Sequence, residues 1–398
     1  MKNRITLFLF TLLLGISMSS YSQVAVQADT IYTMDGDKII DGIVLVKGEK
    51  IEAIGPATDV QVPSDYQMHK TSVVTPGFID AHTVVGLAGI FNQDSDQDQL
   101  ETSSAIQPHL RAFDAYNARE ELVKFVLDKG VTTVHTGHGP GALASGQTMI
   151  AKTAYNTVKK AVLDSKTTVS FTLGSTVERY FDKPGTRAKG VAMLRQQFID
   201  AQEYLDKRNS DENHSTDLKM EALADVLSGE LTAMITAHRA NDIMTALRLK
   251  EEFGFNMILD GASEAYLVVD EIKDAGIPVF IHPTMTRTYG DAQNASFTTA
   301  SKLAEAEIPF AFQSGFESYV PKTRIILYEA AVATAYGLDR EEALKALTKQ
   351  PAQLLGISDK VGSLATGKDA DLVLFDGDPL EYTTHIKSVI VDGKVVKK

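Results

Sequence analysis

Nine histidines and no cysteines bound the chemistry open to this chain. Without cysteine there is no disulfide, thiolate metal site, cysteine nucleophile or lipidated cysteine. Imidazole remains, as a metal ligand and as a proton carrier near neutral pH. Three histidines close apolar runs of strand character: His82 ends Gly77–His82, His238 ends Thr232–His238 and His282 ends Pro278–His282. In sheets of parallel strands, ligands and chemistry gather at the C-terminal strand ends. His82, His238 and His282 are therefore candidates to line a substrate site. Three imidazoles can also hold zinc, so they could bind one divalent metal weakly. The purely structural alternative is that each hydrogen-bonds a neighbouring loop. His135 and His138 read as loop packing, and His109, His214 and His385 as surface or loop residues. Arg287, in "PVFIHPTMTRTYG", should lie near the same strand ends, where a guanidinium could hold a substrate carboxylate. Arg187, Arg239 and Arg324 could do the same, although a structural salt bridge is the commoner role. Arg239 directly follows His238, so strand alternation turns it away from the site.

These residues need elements to position them. The middle of the chain alternates short apolar runs with amphipathic helical stretches, the pattern of β/α units. The remaining candidate strands are Val131–Thr136, Thr168–Leu173, Asn256–Asp260 and Pro309–Gln313. Candidate helices are Ala115–Lys129, Gly190–Lys207, Ala240–Glu252, Glu264–Ala275 and Lys322–Tyr336. Seven or so strands of this kind favour an α/β fold of the TIM-like (β/α)8 barrel type over a doubly wound sheet. Both chain ends have another texture. "TIYTMDGDKIIDGIVLVKGEKIEAIG" and "HIKSVIVDGKVV" alternate apolar and polar residues between Gly and Asp turns. Residues 24–70 and 361–398 should pair into one small β domain beside a barrel at 71–360, or else decorate its edges.

Three connecting segments stand out. Gly137–Gly146 could hold an anion on its backbone N–H groups, but it lacks the P-loop lysine and hydroxyl, and a tight β/α turn is the expected role. Asn92–Pro108 has faintly calcium-loop-like acidic spacing, but its glycine and terminal glutamate are out of register. It reads as an exposed loop over the strand ends. Asp206–Asp217 reads as a solvated insertion.

Composition narrows the partners. Lys+Arg total 39 against 52 for Asp+Glu, a formal net charge of −13, which argues against nucleic acid or an anionic membrane surface. A small-molecule substrate or ligand fits better. Met1–Gln23 reads as a signal peptide, with a basic start at Lys2 and Arg4, an apolar Leu7–Leu14, then small residues. The apolar run falls short of the roughly 20 residues of a spanning helix. Cleavage near Ser22, no membrane anchor afterwards and a periplasmic or secreted location are expected.

"VVTPGFIDAHT" (Val73–Thr83) and "ALTKQPAQLLGISDKVGSLATGKDADLVLFDGDPLEYTTHIKSVIVDGKVV" (Ala346–Val396) resemble the opening and closing motifs of the amidohydrolase superfamily. "ITAHRANDIMTALRLKEEFGF" and "SEAYLVVDEI" resemble its secreted, imidazolonepropionase-like branch. The resemblance implies a metal-dependent barrel hydrolase of C–N bonds, with a β-sandwich built from both termini. It also implies a ligand set: H-x-H on the first strand, Glu or carboxylated Lys on a middle strand, single histidines on strands five and six, and Asp after strand eight. Such a site activates a metal-bound water. The sequence departs from that set. The first motif reads His82-Thr83-Val84, the branch's G-E-N turn reads Gly174-Ser175-Thr176, and the strand-six histidine position reads Gly261, after Asp260. Strand five keeps His238, and the strand-eight position reads Ser314-Gly315. Two of the roughly five or six ligands of a binuclear site survive. The expectations are a C–N hydrolase by family with a degenerate site, or a catalytically silent subunit that binds a ligand or stabilises a homologous, intact amidohydrolase.

Overall fold

The computed structural model describes residues 23–397 other than 92, 211–214, 283–287 and 318–322. The signal segment, His214 and Arg287 therefore lie outside the described residues. Strands are numbered in chain order. The N-terminal part forms β1 (Gln23–Ile31), β2 (Ile39–Lys47), β3 (Lys50–Pro56) and β4 (Gln67–Pro76). The C-terminal part forms β15 (Leu372–Phe375), β16 (Ile386–Val391) and β17 (Lys394–Lys397). All seven make one sheet, ordered β17-β16-β15-β4-β1-β2-β3. β4 runs past Lys70, and its last four residues pair antiparallel with β15 from Val73↔Phe375 to Pro76↔Leu372. The free edge of β3 curls back, with Ile51 N–H donating to Lys368 O at 2.9 Å. Val24, Val26, Val44, Val46, Ile51, Leu372 and Ile390 form the core of this sheet. Their spacing of two along the strands is the alternation visible in the sequence.

The middle of the chain is α/β. Its strands are β5 (Phe78–Thr83), β6 (Val131–Thr136), β7 (Ala144–Gln147), β8 (Met149–Lys152), β9 (Val162–Asp164), β10 (Thr168–Thr172), β11 (Thr232–Ala237), β12 (Met257–Gly261), β13 (Val279–Ile281) and β14 (Phe310–Phe312). They form a six-stranded sheet, β14-β13-β12-β11-β10-β7, and a four-stranded sheet, β5-β6-β8-β9. β10 to β14 are mutually parallel, as are β5 and β6. The two sheets meet at both edges. β7 and β8 are separated only by Thr148, and one pairs antiparallel with β10, the other with β6. At the far edge Thr83 bridges Gly315 in parallel, and Gly315 N–H donates to His82 O at 3.0 Å. The expected turn at Gly137–Gly146 is corrected here, because its end is already strand β7.

Helices cover the sheets. Helix Arg187–Asn209 starts where the Thr186 side chain accepts the Lys189 N–H. It buries Leu194, Phe198, Ala201 and Leu205, one stripe at i, i+4, i+7 and i+11. Phe198 packs on Phe171, Phe253 and Phe255 at ring distances of 5.1–5.6 Å, which ties this helix to β10 and to helix Ala240–Phe253. The helix runs past Asp206, so the expected insertion begins later. Among the described residues no helix is long and apolar enough to cross a membrane.

One junction between body and terminal sheet is ionic. The Lys152 ammonium, at the end of β8, bonds Asp369 at 2.7 Å, Asp371 at 3.3 Å and Asp392. Its side chain is only 3% exposed. Tyr155 donates to Asp392, and Lys50 reaches Asp369 at 2.6 Å. Burial opposes the charge on Lys152, but the three carboxylates outweigh it and raise its pKa. Burial pushes Asp371 up to about 6.

Candidate functional site

The C-terminal ends of β5, β11, β12, β13 and β14 carry the polar residues that the strands would otherwise exclude. His82, the penultimate residue of β5, is 2% exposed. Its Nδ1 lies 3.0 Å from Asp260 Oδ1 at the end of β12. Asp260 takes two further hydrogen bonds, from Gln313 Nε2 to Oδ1 and from Thr236 Oγ1 to Oδ2, both at 2.6 Å. The carboxylate is thus held by groups from β5, β11 and the end of β14. Burial raises the Asp260 pKa, but the neighbouring imidazole more than reverses this and holds it below the usual carboxylate value. Burial lowers the His82 pKa, and Asp260 more than reverses that too. The two shifts agree on a buried ion pair.

His238, just beyond β11, bonds Ser263 Oγ through Nδ1 at 2.8 Å, and burial lowers its pKa. His282, just beyond β13, donates from Nδ1 to the Gln313 carbonyl at 3.2 Å. Burial and the Arg324 guanidinium take its pKa down to about 3, so the ring is neutral. Both rings rest against glycine. Gly261 has φ +77°, and a Cβ there would stand 2.6 Å from His238 Cε1. Gly315 has φ +61°, and a Cβ there would stand 2.8 Å from His282 Cδ2. The imidazoles occupy the space a side chain at either position would need.

Asp80, one turn of alternation before His82, accepts the Ser314 N–H at 2.9 Å and is fully buried, which raises its pKa to about 7. His135 is not loop packing. It lies on β6, fully buried and neutral, donating from Nδ1 to Ala81 O and accepting at Nε2 from Thr148 Oγ1, each at 2.6 Å. His138 does lie in the following loop, also buried. His385 is exposed and pairs with Asp376 at 3.2 Å, while His109 is half-buried.

Outside this cluster a cavity of about 120 Å³ opens over the strand ends. His238, His282, Asp291 and Glu317 line it, with Arg179, Tyr180, Tyr289 and Phe316 around them. Asp291 is a clamp. It accepts from Ser175 and Thr176 N–H, from both their hydroxyls, from Arg187 at 3.2 Å and from Arg239 at 3.3 Å. Arg324 bonds Glu317 at 2.5 Å. Arg187, Arg239 and Arg324 thus serve structural salt bridges. The described part of the Asn92–Pro108 segment, 93–108, holds the 3-10 turn Asp94–Asp96, is largely exposed over 93–104 and buried over 105–108, and reaches the Gly139 N–H through Gln99 O at 2.7 Å.

The site does not fit a binuclear metal. Val84 and Gly261 offer no donor, and Asp260 is already bonded by His82, Gln313 and Thr236. Among the described residues, no three His, Asp or Glu side chains are grouped to hold a metal ion, so His82, His238 and His282 are not brought together as a preformed triad. Sequence reasoning missed Asp260, Gln313, Asp291 and Glu317 as site residues. Only Asp260 carried a signal, as an acid in the apolar run "NMILDG".

With this geometry in place, likeness to known proteins becomes informative. Residues 311–396 match the amidohydrolase family. The amidohydrolase tasK of Hapsidospora irregularis is 24% identical over 86% of this chain, which spans only 38% of that protein's length. The imidazolonepropionase of Alkaliphilus oremlandii is 23% identical over 90% of both chains. The structure of an amidohydrolase from Thermotoga maritima superposes with a TM-score of 0.87 at 29% identity, covering 94% of this chain and all of that one. The chain belongs to the amidohydrolase superfamily. Its low-identity relatives include imidazolonepropionases, and what they act on is a property of those proteins.

Proposed function

We propose that this protein keeps the superfamily scaffold and a small-molecule pocket at its strand ends but does not run binuclear C–N hydrolysis, acting instead as a ligand-binding or partner-stabilising subunit beside an intact homologue. The observation that carries this reading is the His82–Asp260 pair. His82, at a position from which the superfamily draws a metal ligand, bonds instead to Asp260, the residue before the strand-six position Gly261, and Gln313 and Thr236 complete the carboxylate's hydrogen bonding. The carboxylate is thereby fully hydrogen-bonded, which offsets the cost of burying its charge, while His82 Nε2 and Gln313 Oε1 are buried without a hydrogen-bond partner among the described residues. The two sheets, joined through Ala144–Lys152 and through Thr83–Gly315, fit a TIM-like barrel. The seven-stranded terminal sheet fits the composite β domain. Export to the periplasm or exterior is part of the same proposal and rests on the Met1–Gln23 pattern.

A second reading is hydrolysis of a C–N bond at a mononuclear or metal-free centre. It is favoured by the convergence of His238, His282 and Glu317 on one cavity, with His282 Nε2 3.7 Å from Glu317 Oε1. One experiment separates the two. Protein purified without chelator or metal-binding tag is analysed for metal and assayed on a panel of amides and cyclic amides, beside His238→Ala. No turnover, together with co-purification of a homologous amidohydrolase, supports the first reading. Turnover that His238→Ala abolishes overturns it and establishes the second.

A further inference from the structure

A second cleft lies apart from the cavity at the strand ends. It has a volume of about 640 Å³ and lies between the N-terminal parts of helices Arg187–Asn209 and Ala240–Phe253, beside the turn at Gly174. That volume falls within the usual range for small-molecule sites, roughly 300–1,000 Å³. Its wall is half apolar, contributed by Leu143, Leu173, Val191 and Met244. Its charged groups are unevenly satisfied. Arg187 is committed to Asp242 at 2.9 Å, and Arg195 holds Glu252 through two bonds of 2.6 and 2.8 Å. Arg248 has only the Thr245 hydroxyl, at 2.7 Å, and no carboxylate partner among the described residues. Arg248 is solvent-exposed, so its guanidinium is open to a ligand at the cleft.

We infer that this cleft binds a small amphipathic monocarboxylate, its carboxylate on Arg248 and its aliphatic body against Val191, Leu173 and Met244. A guanidinium matches a planar carboxylate by two parallel N–H···O bonds. The apolar wall supplies area that a free inorganic anion could not use. Glu178, also on the wall, opposes a second negative charge, so a monoanion is favoured over a dianion. The cleft is separate from the His238 cavity but mechanically close to it. Arg187, on the cleft wall, also donates to Asp291, which clamps the turn at Ser175 and Thr176. The inference does not depend on what happens at the strand ends.

Hexanoate is the probe, with hexylammonium as its charge-reversed control. Saturation-transfer NMR titrations on the full mature chain should show saturable hexanoate binding and none for hexylammonium. Arg248→Gln should weaken hexanoate about fivefold, an exposed ion pair's worth of affinity. Met244→Asp, which puts a carboxylate on the apolar wall, should weaken it at least tenfold, and His238→Ala should leave it unchanged. Urea midpoints verify that each variant is folded. Absence of saturable hexanoate binding overturns the inference. So does equal binding of hexylammonium, wild-type affinity in both cleft variants, or loss of binding in His238→Ala, which would place the ligand in the other cavity.

Discussion

Replacing His82 by alanine distinguishes a structural network from a vestigial metal ligand. In the folded protein both ends of the His82–Asp260 bond are 2% exposed. Deleting one partner of a buried ion pair typically costs about 3–5 kcal/mol, because the other charge stays buried. Two features lower the figure here. Asp260 keeps the 2.6 Å bonds from Thr236 and Gln313, and it can also take up a proton. The lost bond to a charged group alone is worth about 1.5–3 kcal/mol. We therefore expect a loss of about 3 kcal/mol in unfolding free energy. The chain has no tryptophan, so urea denaturation is followed by circular dichroism. The same measurement is run with EDTA and with added zinc. A structural pair predicts the loss in both media and a coupling of about 1–3 kcal/mol with Asp260→Ala in a double-mutant cycle. A change below about 1 kcal/mol would refute the reasoning. So would a wild-type protein that EDTA destabilises as much as the substitution does, since His82 would then act through a metal.

Lys152→Met leaves the buried carboxylates of Asp371 and Asp392 without their ammonium, while Asp369 keeps Lys50, and should cost about 3–5 kcal/mol in urea; a loss under about 1 kcal/mol would show that the cluster reorganises freely. Asp371 has its pKa raised to about 6, so the stability linked to its protonation is full below the ordinary carboxylate value and is lost as pH rises through about 6. Asp371→Asn does not suffer that loss. Its stability relative to wild type should therefore shift in its favour between pH 5 and pH 8, and a pH-independent difference would contradict this. Gly261→Ala meets both a positive φ and the His238 ring, and should destabilise by about 1–3 kcal/mol or more in the same assay; a neutral result would mean that the ring is not held there.

Much of the strand framework was legible in the sequence. β6 occupies the expected Val131–Thr136, and β10 to β14 lie within a residue or so of the apolar runs that announced them. Strands buried on both faces read as continuous apolar stretches, which locates them well. The Ala144–Lys152 pair of strands was not legible. Glycine, serine and glutamine dilute its apolar signal, and its antiparallel pairing with β10 and β6 breaks the β/α rhythm. Helix Glu264–Ala275 proved to be a 3-10 turn followed by the short helix Val269–Asp274. The candidate site was legible only as single positions. Sequence places His82 at a strand end, but its partner lies 178 residues away, and no periodicity reports such a pairing.

That distance changes how these positions are understood. In the sequence, Val84, Gly261 and Ser314-Gly315 look like separate losses. In the fold, several of them are linked. Gly261 leaves room for the His238 ring, and Gly315 does the same for His282. Asp260, beside Gly261, takes up His82, while Gln313, beside Ser314, supports Asp260 through its side chain and His282 through its carbonyl. A side chain placed at position 261 must displace His238, and freeing His82 removes one of the three hydrogen-bond partners of the buried Asp260 carboxylate. The arrangement is a coupled packing solution, in which a change at one of these positions meets a steric overlap or a lost hydrogen bond at another.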